Sequence, residues 1–280
     1  MPELPEVEQV AKGLRQLVIG KEISQVDISW PRIISGMTPD LFSQTLLGQT
    51  ISAISRRGKY LIFTMDRGVM ISHLRMEGKY IFRPSASLSN GVNDPQHKHV
   101  HVSFIFKDGS RLDYQDVRKF GRMEWLGQAS VTEYFKAKGL GPEPDSPDFD
   151  LASLKVALKK TDRMIKPLLL DQKLVAGVGN IYADEILFQA KIKPDRKAKS
   201  LTAKEVSGLH QAVRDIMKRA VQAGGSTVRT YLDGLGQKGN FQDQLKVYGR
   251  QDQPCLVCGR PISKRQLAQR GTHYCNFCQR

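Results

Sequence analysis

All four cysteines of this 280-residue chain fall in its last 26 positions, as Cys255-x2-Cys258 and Cys275-x2-Cys278 with 16 residues between the pairs. That spacing is the strongest local constraint on the fold. Two CxxC knuckles supply four thiolates in tetrahedral array, the ligand pattern of a zinc ribbon. Four thiolates close the coordination shell, so one zinc ion is expected in a structural role, without an open position for chemistry. The chain lacks the marks of a secreted protein, and an intracellular chain has little use for the same cysteines as disulfides. Arg260, Lys264, Arg265 and Arg270 lie within the ribbon and no acidic residue does, so the ribbon suits contacts with phosphate.

The rest of the composition points the same way. Forty-three Lys and Arg against 28 Asp and Glu give a formal charge of +15, with an isoelectric point near 9.7. Such an excess favours a polyanionic partner, nucleic acid before an anionic membrane surface. No apolar run approaches the length of a membrane span. The acidic opening MPELPEVE does not read as a targeting peptide, so a cytoplasmic protein is expected.

Periodicity divides the chain. Val7, Val10, Ala11, Leu14, Leu17 and Val18 follow helical spacing, with Pro5 in the first turn and Gly20 at the end. From 22 to 127 short extended runs alternate with turns, examples being 23–29, 60–65, 69–73 and 100–106, which predicts an antiparallel β-sandwich. The polar stretch 84–96 reads as a loop. Pro and Gly concentrate at 141–147, where a linker (141–149) should divide an N-terminal domain (1–140) from a helical domain (150–243). The ribbon domain is then 244–280. Helical patterns cover 151–159, 179–189 and 202–223, the last opened by Thr202 and Glu205 as a capping box. Residues 224–243 are Gly-rich and read as mobile. The fold class is therefore α+β.

Two further signals concern chemistry. Loss of Met1 would leave Pro2 with a free secondary amine. An α-amino group titrates near pH 8, so far more of it is unprotonated at neutrality than of a lysine. Such an amine can attack a sugar carbon and form a Schiff base, with Glu3 and Glu6 beside it to move protons. Taken alone this is weak, because Met-Pro-Glu is an ordinary start to a helix. The second signal is 168–188, where Gly177 and Gly179 permit a sharp turn between helices. Asn180 then opens a helix whose free N–H groups offer a seat for phosphate. A plain packing turn would have the same pattern. His99 and His101 share a face of one strand, so a metal pair is possible, but no motif supplies the other ligands of such a site.

Six segments stand out together: MPELPEVE at 1–8, RRGKY at 56–60, HLRMEG at 73–78, DVRKFGR at 116–122, QKLVAGVGNIYADE at 172–185 and the cysteine ribbon. In combination they resemble the formamidopyrimidine-DNA glycosylase family. The resemblance spans the chain in the family's order, and Leu4 resembles the purine-lesion branch. It implies excision of oxidised purines such as 8-oxoguanine from duplex DNA, followed by strand cleavage through β- and δ-elimination, by a monomer. Pro2 would be the nucleophile, Glu3 and Glu6 its proton-handling partners, and Lys59 a phosphate contact that assists elimination. Asn180 and Arg270 would clamp phosphates. Met76, Arg118 and Phe120 would fill the gap left by the flipped base, whereas the residues without the family would place Met76 and Phe120 in the core. His73, His99 and Arg163 are implied in DNA contact, with Arg229 and Tyr231 in the lesion-capping loop. The chain departs from the family at Val100, usually Asp, and at Asn276, where proline is common. DNA is expected in a basic cleft, with affinity falling steeply as salt rises. An oxidised-pyrimidine glycosylase, and a binder of lesions without catalysis, remain as alternatives. A binder, however, has no use for Pro2, Glu3, Glu6 and Lys59 together.

Overall fold

A computed structural model of the chain describes residues 1–85, 98–226 and 239–280. Along the chain the elements are α1 (Leu4–Val18), β1 (Ile23–Ile28), β2 (Ile34–Ser35), α2 (Pro39–Leu46), β3 (Ile51–Arg57), β4 (Tyr60–Met65), β5 (Gly68–His73), β6 (Lys79–Arg83), β7 (Val100–Phe106), β8 (Arg111–Gln115) and β9 (Arg122–Gly127), then α3 (Val131–Ala137), α4 (Leu151–Lys159), α5 (Ile165–Leu169), α6 (Asn180–Gln189), α7 (Ala203–Gln222), β10 (Ser263–Leu267) and β11 (Arg270–Tyr274). Among the described residues, one compact unit takes in Met1–Pro2 and Glu6–Ala137. The other takes in Glu3–Pro5, Lys138–Ser226 and Asn240–Arg280.

The first unit is a β-sandwich. One sheet has the order β1-β7-β8-β6 and the other β2-β9-β5-β4-β3. All pairings are antiparallel except β2 with β9. Alternation decides which side chains meet inside: Val102, Phe104 and Phe106 of β7 and Leu61, Phe63 and Met65 of β4 belong to one core. Val7, Val10, Ala11, Leu14 and Val18 of α1 complete it. The helix α2 interrupts a region that reads as strands throughout. It has only Phe42 and Leu46 to bury, too few for a visible period, and is started by Pro39 and by Thr38, whose hydroxyl accepts the Leu41 N–H at 3.3 Å.

The second unit is built on α6, buried from Tyr182 to Phe188. Leu209, Val213, Ile216 and Met217 of α7 share its core. The capping box at the start of α7 is present, with Thr202 and Glu205 exchanging hydrogen bonds. The Pro-rich segment expected to be a linker is docked: Gly141 N–H donates to Gln172 O and Ala176 N–H to Pro142 O, both at 2.8 Å. A side chain on Gly141 would meet Lys173 O at 2.3 Å. The segment expected to be mobile is anchored at both edges, by Asn240 N–H to Ala223 O at 2.9 Å and Phe241 N–H to Gly225 O at 3.0 Å. Its central residues, with Arg229 and Tyr231, lie outside the described residues, as does the expected loop beyond Ser85. No helix among the described residues is long and apolar enough to cross a membrane.

Candidate functional site

In the second unit the glycine-bearing turn before α6 grips the beginning of the chain. Gln172 shapes the turn: its Oε1 accepts from Gly177 N–H at 2.9 Å, and its Nε2 donates to Val178 O at 2.9 Å. Leu4 N–H donates to Gly177 O at 3.1 Å, and Gly177 holds φ +87° with Leu4 Cβ at 2.4 Å from where a side chain would start. The Glu3 carboxylate then takes the first turn of α6, accepting the Ile181 N–H at 3.0 Å. A methyl group on Gly179 would fall 2.2 Å from Glu3 Cδ. The free N–H expected to seat a phosphate at this helix end is thus engaged, at Ile181, by a carboxylate from the same chain. The reason is the one that suggested phosphate, since an anion is favoured at a helix N-terminus.

Asn180 faces the ribbon instead, its Nδ2 donating to Gly271 O at 3.0 Å. Beneath it is a buried ion pair that the sequence did not announce. Lys166 Nζ, fully buried, lies 2.7 Å from Asp184 Oδ1 and donates to Thr272 Oγ1 at 2.9 Å and Gly271 O at 3.0 Å. Burial pulls the Lys166 pKa down against the opposing pull of Asp184. Asp184 Oδ2 also accepts the His273 N–H at 2.8 Å. Its neighbour Glu185 accepts three backbone N–H groups, from Lys246, Val247 and Tyr248, each at 2.9 Å. Burial still raises the Glu185 pKa. Two acids in an otherwise apolar helix were the available signal, because buried carboxylates need partners of this kind.

These anchors hold the β10–β11 hairpin. Its loop is Ala268-Gln269, both left-handed at φ 44° and 62°, the backbone that a two-residue hairpin demands and that glycine or asparagine ordinarily supplies. Arg270 follows at once, exposed. At the ribbon's base the four sulfurs lie within 4.8 Å of one another, with Cys255–Cys278 at 3.9 Å and Cys258–Cys275 at 3.5 Å. Tetrahedral zinc with bonds near 2.3 Å separates its sulfurs by about 3.8 Å, so the donor set fits that ion. Val247, Ile262 and Phe188 join the cysteines in a small core of their own.

Among the described residues, the first unit holds the remaining predicted ones except Arg163. Pro2 and Glu6 are buried, and Lys59, in the turn between β3 and β4, is only 5% exposed. Lysines are almost never buried so far without a partner. His73 lies at the end of β5, edge-on to Tyr60, and its Nδ1 accepts the Arg75 N–H at 2.9 Å. Burial first, then Arg75 and Lys59, lower its pKa to about 3. His73 is thus a neutral support for the loop that follows and brings no charge to a phosphate.

Three loops of this unit carry left-handed non-glycine residues: Arg75 at φ 56°, His99 at 69° and Lys119 at 59°. Such backbone costs of order 1–3 kcal/mol per residue and clusters at working sites. The loop 116–121 is wound around buried Asp116, whose carboxylate accepts the N–H groups of Arg118, Phe120 and Gly121 at 3.0, 2.9 and 2.8 Å. Asp116 N–H donates to His99 O at 3.0 Å, and the His101 ring nitrogen lies 2.8 Å from Asp116 O. The two histidines are therefore used separately. Among the described residues, the four cysteines are the one group suited to a metal ion. Phe120 is 47% exposed with the Arg118 guanidinium 4.9 Å from its ring centre, and Met76 is half-buried at a loop tip. Their apolar side chains, read without the family, predict the core for both, but Asp116 and the turn at 74–78 direct them outward. Arg163, also exposed, pairs with Asp171 at 2.6 Å.

Three family models match in order: the formamidopyrimidine-DNA glycosylase N-terminal domain at 1–123, its H2TH domain at 140–232, and the zinc finger found in FPG and IleRS at 252–280. A formamidopyrimidine-DNA glycosylase of Enterococcus faecalis is 54% identical over all of this chain and 97% of its own length. The chain belongs to the formamidopyrimidine-DNA glycosylase family. Another member, from Listeria innocua, is 49% identical over the full length of both chains. Solved structures agree. Lactococcus lactis Fpg in complex with DNA containing an abasic site matches with a TM-score of 0.91 and 42% identity, over 99% of each chain. The same protein with DNA containing N7-benzyl-Fapy-dG matches at 0.91 and 41%, over all of both. In these terms the turn that grips Glu3 belongs to the H2TH domain, and the four cysteines to the family's zinc finger.

Proposed function

We propose that this chain is a base-excision-repair enzyme of the cytoplasm that removes oxidised purines from duplex DNA and then cuts the strand at the abasic sugar. The observation that carries this reading is the capture of Glu3 and Leu4 by the turn before α6. A chain start held by a backbone hydrogen bond, a carboxylate and two side-chain-free glycines is built for more than beginning a helix. The residue covalently before Glu3 is held with it.

The chemistry runs through Pro2. While Met1 is attached, its nitrogen is an amide and cannot attack. Once Met1 is removed, the secondary amine adds to C1′ of the damaged nucleotide, the C1′–N bond breaks, and the base leaves with a proton. Glu3 protonates the sugar ring oxygen as the ring opens, and the product is a C1′ iminium on Pro2. The iminium acidifies the C2′ hydrogen, so its removal expels the 3′ phosphate, and a second elimination expels the 5′ phosphate. Glu6 supports the proton relay. Lys59 contacts a phosphate beside the lesion, and Asn180 and Arg270 clamp its neighbours. Met76, Arg118 and Phe120 occupy the space of the extruded base, as base flipping requires. His99 and Arg163 contact the duplex, with Arg229 and Tyr231 near the lesion. Zinc would be held by Cys255, Cys258, Cys275 and Cys278, fixing the hairpin that carries Arg270.

Borohydride trapping tests the proposal. Protein with Pro2 confirmed as its first residue is mixed with duplexes carrying 8-oxoguanine or dihydrouracil and reduced. A covalent adduct with 8-oxoguanine, abolished by an N-terminal extension, is the expected result. An adduct mainly with dihydrouracil would move the chain to pyrimidine lesions. Tight binding with no adduct, even on an abasic site, would make it a binder.

A further inference from the structure

The loops that carry Met76 and Arg118–Phe120 follow different strands, yet one buried side chain touches the base of both. Tyr114 on β8 is fully buried, edge-on to Tyr80 of β6 with ring centres 5.2 Å apart. A methyl group on Gly78, at the end of the first loop, would lie 2.0 Å from the Tyr114 hydroxyl oxygen. One on Gly121, at the end of the second, would lie 1.8 Å from it. Neither glycine has a left-handed φ, so neither is required by its own backbone. At Gly121 the three nearest atoms all belong to Tyr114, and at Gly78 Leu74 O at 2.5 Å is the only other neighbour as close. The two glycine backbones therefore face each other across a single phenol oxygen.

Each loop is also closed internally. Gly78 N–H donates to Leu74 O at 3.0 Å in the first, and Asp116 gathers the N–H groups of the second. The strand pairs His73–Arg122 and Lys79–Gln115 join the bases of the two loops, and between those joints Tyr114 fills the space that sets how closely the loops approach. We propose that Tyr114 is a positioning residue that locks these loops at one spacing, so that Met76, Arg118 and Phe120 enter the duplex as one rigid wedge. The proposal rests on the reading of those three residues as occupants of the flipped base's space. Unstacking a duplex step is itself unfavourable. Inserting parts whose loops shift against each other beyond the paired strand ends would add the entropy of ordering them, which a shared wall reduces.

The test is Tyr114→Phe, which keeps the ring and removes the oxygen between the glycines. Three quantities are read: single-turnover excision of 8-oxoguanine from duplex, borohydride trapping on a single-stranded abasic oligonucleotide, and the thermal midpoint. The expected result is duplex excision slowed about tenfold, with single-strand trapping and the midpoint close to wild type. A second measurement places Met76→Ala and Phe120→Ala, singly and together, in both backgrounds. With Tyr114 intact the double variant should lose less than the product of the single losses, and with Tyr114→Phe the losses should multiply. Duplex excision at the wild-type rate in Tyr114→Phe overturns the proposal, as does an equal loss on duplex and single strand. If Met76→Ala and Phe120→Ala themselves leave duplex excision unchanged, the wedge reading fails and the proposal with it. If they slow excision while Tyr114→Phe does not, only the role of Tyr114 is lost.

Discussion

Replacing Gly179 by alanine would put a methyl group where the Glu3 carboxylate already sits. Its carbon would lie 2.2 Å from Glu3 Cδ and 2.5 and 2.6 Å from the two carboxylate oxygens, distances that no real contact tolerates. The Gly179 backbone is extended, at φ −128° and ψ −162°, so alanine meets little objection from its own dihedrals. Glu3 must therefore leave, and the Ile181 N–H loses its charged acceptor. A hydrogen bond to a charged group contributes about 1.5–3 kcal/mol, and alanine for glycine before a helix costs roughly 0.5 kcal/mol more. Gly179→Ala should thus destabilise by about 2–3.5 kcal/mol. Glu3→Ala removes the obstacle, and in that background the same substitution should cost only about 0.5 kcal/mol, a coupling of about 2 kcal/mol. Urea titration of the wild type, both single variants and the double variant measures it. Excision of 8-oxoguanine should fall with Gly179→Ala alone. Equal costs in the two backgrounds would mean that Gly179 is not empty on account of Glu3, and the argument for a gripped chain start would fail.

Three other perturbations follow from the same structure. His73 binds no proton until pH falls to about 3, whereas its unfolded form takes one near 6.5. Stability present above pH 6.5 is therefore lost as pH falls through that window, at about 1.4 kcal/mol per unit. Urea midpoints at pH 7 and 5.5 should show this loss in the wild type and lack it in His73→Gln, and parallel slopes would contradict a buried neutral imidazole. Lys166→Met strands the Asp184 carboxylate in the core and should cost about 3–5 kcal/mol, where a loss below about 1 kcal/mol in urea would refute the pairing. Removing zinc with a thiol-competing chelator should unfold the β10–β11 hairpin, because few apolar residues besides the cysteines share its core. Duplex affinity measured by anisotropy should fall with it, and unchanged affinity would separate the ribbon from DNA binding.

Local pattern foretold much of the fold. The periods of α1, β4, β7 and α7, the capping box at Thr202 and the cysteine knuckles are visible because each rests on residues close together in sequence. The short elements α2 and α5 were not, since two or three buried apolar side chains make no period. The Pro-rich stretch 141–147 has a linker's composition but is docked by backbone hydrogen bonds, which leave no compositional trace.

The site divides along the same line. Motifs placed Pro2, Glu3, Lys59, Asn180 and Arg270 in the order of a known family, and spacing alone named the four metal ligands. What only the tertiary structure decided is which groups meet over long separations. Glu3 takes an N–H 178 residues away, Lys166 reaches Thr272 across 106, and Tyr114 fills the space left by two glycines. It also decided that Phe120, which as an apolar residue reads as core, faces outward because Asp116 winds its loop. The physical reason is common to all of these. Propensity and periodicity act through neighbours in the chain, whereas burial, charge pairing and exclusion by volume act through neighbours in space.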